Sequence, residues 1–526
     1  MGLSERNRSR VGAVGWCSNC NVPILDGKPC GICSSKSALL PITRGNLKPI
    51  FQPEKKFYNQ IIDKFLGVSY DLLPPDECFV SDGSIVVDGQ KAFRIFFADD
   101  EWKAEAHGDY EVGDLKGSQL KEILKANEHL LRQKEQEAIN FIKNMFEKFN
   151  LPAVVSISGG KDSAVALSLA RQVDRKITVV YMNTTLDFPE TVTYIHRLCR
   201  QWELNLVEIF PERTFLDLSK ELGPPSTMMP WCCQTQKFAP FNKYLNEHYP
   251  KGVLSVEGLR RFESEKRMDY KRVSGNRAIP RKKAICPILN WTMLDVWLYI
   301  FWKKIPFNPI YKYGYERIGC WACPHKNMSS FKMTEKTHPK LLNKWYRFLL
   351  DYASKSGKDK EWVHGGNWRF RREAYEKIPL HSKRLCGTDN SWVYKIKNDS
   401  TLCRAKEFMK IFGEVTKAAN IQVVHGKDIQ ICIIGSSLRV ASQEASMIKK
   451  FEKQLSKAMN CVACGACVGA CKALKVKDKM LTIDETACTH CFRCVSSKYL
   501  RMSCIALNYR KKRFVWKERS LKIRND

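Results

Sequence analysis

Sixteen of the 22 cysteines in this 526-residue chain fall into groups with metal-ligand spacing, and that pattern constrains the fold more than any other feature. The groups are Cys17-x-x-Cys20 with Cys30-x-x-Cys33, the adjacent pair Cys232-Cys233 with Cys320-x-x-Cys323, and a C-terminal series from Cys461 to Cys504. Met1 to Arg10 is polar and basic, without the apolar core of an export signal. No apolar run approaches the roughly 20 residues that cross a bilayer, so a cytoplasmic location without membrane contact is expected. Thiols stay reduced in most cytosols, and these cysteines therefore read as metal and redox ligands rather than disulfides. The other six, Cys78, Cys199, Cys286, Cys386, Cys403 and Cys432, read mostly as small buried side chains.

The formal charge of +32 is large enough to attract polyanions, and its local density matters more than its total. Arg260 to Lys283 holds ten Lys or Arg against three acidic residues, and Arg510 to Asp526 eight against two. Such a surface is either simply solvated or binds a phosphorylated ligand or RNA. A homo-oligomer is a candidate state. The length implies several domains.

Residues 1–38 form a knuckle in which Gly15, Gly27 and Gly31 fall where turns are needed. Four thiolates on two hairpins, Cys17, Cys20, Cys30 and Cys33, suit one structural zinc with no open position. Residues 39–117 read as a small β-containing domain, with strands at Ser84 to Asp88 and Ala92 to Phe97. A helical stretch from Ser118 to about Asn150 leads into Ser158-Gly159-Gly160-Lys161-Asp162-Ser163. This loop follows the apolar run Ala153 to Ile157 and opens a helix, so backbone N–H groups and the helix dipole can hold phosphate there.

Between Leu151 and Cys323 short apolar runs (Ala153 to Ile157, Ile177 to Tyr181, Leu206 to Phe210, Val253 to Val256) alternate with helical segments, which predicts a parallel sheet. After the loop come Asp187-Phe188-Pro189-Glu190-Thr191, Cys232-Cys233-Gln-Thr-Gln-Lys237, and Gly258-Leu259-Arg260-Arg261 with Arg267. Then follow Pro287 to Ile300, in which Trp291, Trp297 and Tyr299 read as packing residues, and Gly314 to Cys320. In this order the blocks resemble the adenylyl-sulfate (APS) and phosphoadenylyl-sulfate (PAPS) reductases of the adenine nucleotide α-hydrolase-like superfamily. The paired Cys and Cys-x-x-Cys resemble the iron-sulfur branch, which implies one 4Fe-4S cluster on Cys232, Cys233, Cys320 and Cys323.

The implied substrate carries an electrophilic sulfur and several negative charges. The loop with Arg260, Arg261 and Arg267 would cradle it, since a guanidinium fork meets two oxyanion oxygens at once. Lys237 matches a family lysine placed between cluster and substrate. The family nucleophile sits in a Glu-Cys-Gly-x-His motif; Cys386, in Lys383-Arg384-Leu385-Cys386-Gly387-Thr388, keeps only Cys-Gly. Gly365 to Arg372, with Arg369 and Arg371, partly resembles a family arginine segment, which makes residues 324–362 a helical insertion in a catalytic domain of 118–389. Paired cysteines lean towards APS and the dense arginines towards PAPS; PAPS is favoured.

Residues 390–458 read as a small mixed domain, with a helix at Cys403 to Lys417 and a hairpin at Ile421 to Ile434. In residues 459–508, Cys461-x-x-Cys464-x-x-Cys467-x-x-x-Cys471 has the spacing of a bacterial-type ferredoxin, whose fourth cysteine ligates the other cluster. That assigns Cys461, Cys464, Cys467 and Cys504 to one 4Fe-4S cluster and Cys488, Cys491, Cys494 and Cys471 to a second. The departure is a gap of nine residues between Cys494 and Cys504. Residues 509–526 are a basic tail.

The chain thus reads as a multidomain α/β protein: an N-terminal zinc ribbon and small β-containing domain, a central doubly wound parallel-sheet nucleotide-binding domain, and a C-terminal ferredoxin-like two-cluster domain. Three 4Fe-4S clusters and one zinc are expected. So is a low-potential electron donor such as ferredoxin. The competing readings are an ATP-using, iron-sulfur-dependent tRNA thiolation or other sulfur-transfer enzyme, and a nucleotide-sensing protein without turnover.

Overall fold

The computed structural model describes residues 12–42, 45–67, 73–74, 76–109, 114–371, 382–384, 391–396, 399–418, 421–496 and 504–505. Cys386 and the basic tail lie outside them. The chain divides into two compact units, Met1–Ile209 with Tyr249–Arg347, and Phe210–His248 with Phe348–Asp526.

In the first unit a six-stranded sheet runs in the order 206–209, 178–182, 153–157, 253–257, 279–285, 273–276. The first five strands are parallel and the last, 273–276, is an antiparallel edge. Val154, Val155, Ile157, Val179, Val180, Leu254 and Val256 are all buried, as β runs covered by helices must be. The chain proceeds outward from 153–157 to 206–209 and then returns to 253–257 on the other side. Strand order therefore reverses between 153–157 and 253–257, and open α/β sheets take ligands beyond the carboxyl ends of such a neighbouring pair. Ser156 Oγ and Ser255 Oγ, 2.9 Å apart, tie the two strands together.

Local chemistry sets the flanking helices. Pro189–Gln201 starts on a proline, whose fixed φ suits the first turn. Met293–Trp302 starts on a capping box: Thr292 Oγ1 accepts from Asp295 N (3.1 Å), and Asp295 Oδ2 accepts from Thr292 N (2.7 Å). Trp291, Trp297 and Tyr299 are buried, as their spacing predicts.

The N-terminal part of this unit holds a three-stranded sheet (14–17, 22–25, 38–39) and a five-stranded one (48–49, 79–81, 84–87, 90–98, 101–106). Helix Gln52–Leu66 buries Tyr58, Ile61 and Ile62 with the apolar residues of the five-stranded sheet. The 30-residue helix Leu120–Phe149 carries the knuckle. Asn127 Oδ1 accepts from Leu25 N (2.8 Å), its Nδ2 donates to Pro23 O (2.8 Å), and Gly31 N donates to Ala126 O (3.0 Å). Lys134 Nζ joins Asp26 (2.8 Å) to the buried Asp295 (3.4 Å).

The second unit contains an antiparallel sheet in the order 382–384, 391–395, 437–441, 430–434, 421–425, 414–418. Its buried core residues pack with helices Asp399–Met409 and Ala445–Asn460. This corrects the helix expected from Cys403 to Lys417: the helix ends at Met409, and 414–418 is a strand paired with 421–425. Val415 and Thr416 are β-branched, and strand pairing outweighs their helical spacing. The predicted insertion is helical at Met328–Thr337, Pro339–Lys355 and Lys360–His364. No helix among the described residues is long and apolar enough to cross a membrane.

Candidate active site and cysteine centres

The glycine-rich turn sits at the carboxyl end of strand 153–157 and opens helix Lys161–Val173. Gly159 has φ +71°, and a Cβ there would meet Thr191 Cγ2 at 2.4 Å. Gly258 has no room for a side chain at all, because a Cβ would lie 2.3 Å from the Asp162 carbonyl. The Gly258 to Arg261 segment therefore runs directly against the loop.

That approach fixes a buried charge network. Arg260 Nε donates to Asp162 Oδ1, and Lys161 Nζ donates to Asp162 Oδ2 at 3.1 Å and to Glu316 O at 3.4 Å. Burial alone would raise the Asp162 carboxyl, but the Arg260 and Lys161 charges prevail and hold it down at about 2. Burial lowers the Lys161 ammonium against the pull of Asp162. Glu263 accepts from Arg260 N (3.1 Å), pairs with Arg267 Nη1, and lies 3.6 Å from Arg317 Nη2. Arg261 Nε is buried with no hydrogen-bond partner among the described residues. So Arg260 and Arg267 spend charge on carboxylates, while Arg261 keeps a donor in hand. Ser163 Oγ donates to Gly160 O (2.8 Å), and Ser158 is exposed at the lip.

Cys320 and Cys323 follow on the same unit. Loop 183–188 braces them: Thr184 Oγ1 and Cys320 Sγ are 3.6 Å apart, and Trp321 N donates to Leu186 O (2.9 Å). Asp187 Oδ2 in turn accepts from Tyr181 OH and Thr184 Oγ1, both at 3.0 Å. Lys326 Nζ lies 4.9 Å from the Phe188 ring centroid and has no hydrogen-bond partner among the described residues. Burial lowers it to about 8, against the opposing charges of Cys323 and Cys320. Sequence reasoning missed Lys326; its signal was the cation three residues beyond Cys323.

Cys232 and Cys233 belong to the second unit, in the helical turn Trp231–Cys233. The next five residues, Gln234–Phe238, are π-helical, a rare conformation concentrated at functional sites. This stretch carries Lys237. The Cys232 side chain, hydrogen-bonded to it, and the Lys237 charge lower the Cys233 thiol to about 6 despite burial. Trp231, stacked on Phe215 at 5.5 Å, donates Nε1–H to Gly223 O (3.2 Å) and anchors the turn.

Arg371, also in this unit, donates through Nη2 to Leu222 O (3.0 Å) and Pro224 O (2.7 Å), and through Nη1 to Tyr352 OH (3.1 Å). Its donors hold residues 222–224 in place. Arg369 is buried, and its carbonyl accepts from Thr227 N (2.8 Å).

The Sγ atoms of Cys17, Cys20, Cys30 and Cys33 all lie within 4.8 Å of one another, a spacing that fits four thiolates around one tetrahedral ion. In the C-terminal module the thiols of Cys461, Cys464, Cys467 and Cys504 act electrostatically on one another, and those of Cys471, Cys488, Cys491 and Cys494 do likewise. Burial raises Cys461 to about 11 and Cys467 to about 12. A donor set made only of thiols suits iron-sulfur or zinc binding, with protons released on loading.

A model of the phosphoadenosine phosphosulfate reductase domain matches residues 152–326. An adenosine 5′-phosphosulfate reductase of Bacillus mycoides is 30% identical over 189 residues, which cover 35% of this chain and 79% of that protein. An uncharacterized protein of Methanocaldococcus jannaschii is 28% identical across 68% of this chain and 96% of its own length. A solved phosphoadenylyl-sulfate reductase from Candida auris aligns at 17% identity and a TM-score of 0.30, covering 37% of this chain and 94% of that one.

Proposed function

The chain belongs to the phosphoadenosine phosphosulfate reductase family, oxidoreductases acting on sulfur groups, and from that premise we propose that it reduces PAPS or APS to sulfite with electrons delivered through its own C-terminal module. The nucleotide product is adenosine 3′,5′-bisphosphate or AMP. Phosphates lie at the loop Ser158 to Ser163 and the start of helix Lys161–Val173, where backbone N–H groups face the ligand. Gly258 lets Arg260 reach and neutralise Asp162, so the loop does not repel the anion. Arg261, with its unused donor, is the residue to meet the sulfate or the 3′-phosphate.

In this reading the Cys386 thiolate attacks the sulfuryl sulfur, the sulfur–oxygen bond to the nucleotide breaks, and the nucleotide leaves with the electron pair. The S–S bond of the resulting thiosulfonate then accepts two electrons and splits into sulfite and the Cys386 thiolate. Lys237, whose charge acts on Cys233, is the residue that by the family resemblance would supply positive charge to the transferred group. Iron-sulfur clusters, when bound at Cys232, Cys233, Cys320 and Cys323 and at the two C-terminal sets, supply one-electron transfer.

One observation carries the internal electron supply. Helix Ala239–His248 continues from the π-helical turn after Cys233, and its Asn246 Nδ2 donates to Gly469 O at 2.6 Å, in the turn between Cys467 and Cys471. A Cβ on Gly469 would lie 2.3 Å from Ala239 O, so this turn is in direct backbone contact with the helix. Arg213 Nη1 adds a bond to Val462 O at 2.7 Å. The paired cysteines and the module are thereby packed within one unit.

The test is an anaerobic assay offering PAPS and APS separately, with reduced ferredoxin or a dithiol as donor, and quantifying sulfite and nucleotide. Sulfite formed with ferredoxin is the expected result. Turnover with the dithiol alone would remove the internal electron route, and release of pyrophosphate from ATP in the presence of tRNA would replace the reductase reading.

A further inference from the structure

Helix Ala445–Asn460 ends one residue before Cys461, and its last turns are buried and polar at Gln454, Ser456, Lys457 and Asn460. Lys457 is the unusual member, 1% exposed, with an Nζ that has no hydrogen-bond partner among the described residues. A buried ammonium is costly unless charge of opposite sign stands nearby. The groups that act on it most strongly are the thiols of Cys467, Cys504, Cys494 and Cys461. Three belong to one expected ligand set and Cys494 to the other, so the charge of Lys457 acts on thiols of both sets.

Lys457 sits one helical turn before Cys461, the residue that caps its helix. On one side its Nζ is 5.7 Å from the Phe408 ring centroid. Arg404 directs Nε to Ala458 O (2.9 Å) and Nη2 to Thr401 Oγ1 (3.0 Å), which commits it to the helix end.

We infer that Lys457 is a fixed positive charge that raises the reduction potential of the C-terminal clusters; this rests on the cofactor reading above. Net charge and hydrogen bonds to sulfur are the protein's levers on such potentials. Each one-electron reduction adds a negative charge to the cluster and its thiolates, and a cation held against them favours the reduced form. Lys457 thus acts on the electrons through its charge, which reaches thiols of both sets.

The experiment is a redox titration by electron paramagnetic resonance on the full-length, anaerobically loaded protein, with iron and sulfide content measured in parallel. Lys457→Met is expected to keep its iron and to show at least a tenfold fall in the reduced-to-oxidised ratio at fixed potential, equivalent to about 59 mV for a one-electron couple. Lys457→Arg is expected to titrate like the parent. A fully loaded Lys457→Met with unchanged potentials overturns the inference and leaves the electron route intact. Parent protein that takes up no iron overturns both. If Lys457→Met loses iron, retention in Lys457→Arg upholds the role of charge, and loss from both overturns it.

Discussion

The Cys17 to Cys33 knuckle and the Cys461 to Cys504 module both gather thiols, yet they do so on opposite terms. In the knuckle four sulfurs share one point, all within 4.8 Å, and Lys134, on the helix that carries the knuckle, is matched by Asp26 and Asp295. In the module eight thiols are expected to form two sets, and Lys457, whose charge acts on thiols of both, has no hydrogen-bond partner among the described residues. A closed tetrahedral site stabilises a fold and can do little else. A site with an unmatched cation beside it has been shaped for a group whose charge changes.

Breaking the knuckle should have the largest effect. If the knuckle holds the proposed zinc, Cys30→Ser is expected to lose it, and with it much of the roughly 10 kcal/mol that such a metal lends a small domain; metal analysis and thermal unfolding would show it. Cys491→Ser, on an exposed ligand of the second set, is expected to leave folding intact and to reduce ferredoxin-driven sulfite formation about a hundredfold or more. Equal rates for variant and parent would mean that the second set is not on the route.

Proton affinity varies within both regions: burial raises Cys20 of the knuckle to about 12, and in the module hydrogen bonds lower Cys491 against its burial. Hydrogen bonds from Ser35 and its neighbours lower the exposed Cys33 thiol to about 6, whereas burial holds Cys461 and Cys467 at about 11 and 12. Thiolate is the reactive form. In the reduced, metal-free protein at pH 7, alkylation should therefore reach Cys33 first, with Cys461 and Cys467 reacting appreciably only as pH rises towards their values. Mass mapping of labelled peptides checks the order.

The smallest effects concern attachment. Lys134→Met strands two carboxylates, one fully buried, and should cost about 3 kcal/mol. Asn127→Ala removes the buried amide that holds Leu25 N and Pro23 O, for about 2 kcal/mol. Asn246→Ala should cost about 1 kcal/mol and slow ferredoxin-driven turnover while sparing the knuckle. Denaturant unfolding separates the three.

Much of the architecture was legible because local pattern carried it. Strand 153–157, its glycine turn and the following helix fall where apolar runs and punctuation put them, and the capping residues of Met293–Trp302 stand in the sequence itself. The helix that stops at Met409 was not legible, since strand pairing between 414–418 and 421–425 is a cross-strand effect. Nor was the excursion of residues 210–248 into the second unit, which hangs on bonds such as Arg213 to Val462 O and Ser226 to Arg371 O.

The same division runs through the candidate site. Spacing named the knuckle and C-terminal cysteines and the phosphate loop, because ligand loops and helix starts are built from residues close in sequence, while the set Cys232, Cys233, Cys320 and Cys323 came from the family resemblance. Only the tertiary structure decided that Arg260 answers Asp162, that Arg371 spends its donors on carbonyls, and that the Lys457 Nζ is buried with no hydrogen-bond partner among the described residues. Charge pairing in a buried interior depends on which distant groups the packed chain brings within a few ångströms, and no window of sequence contains that information.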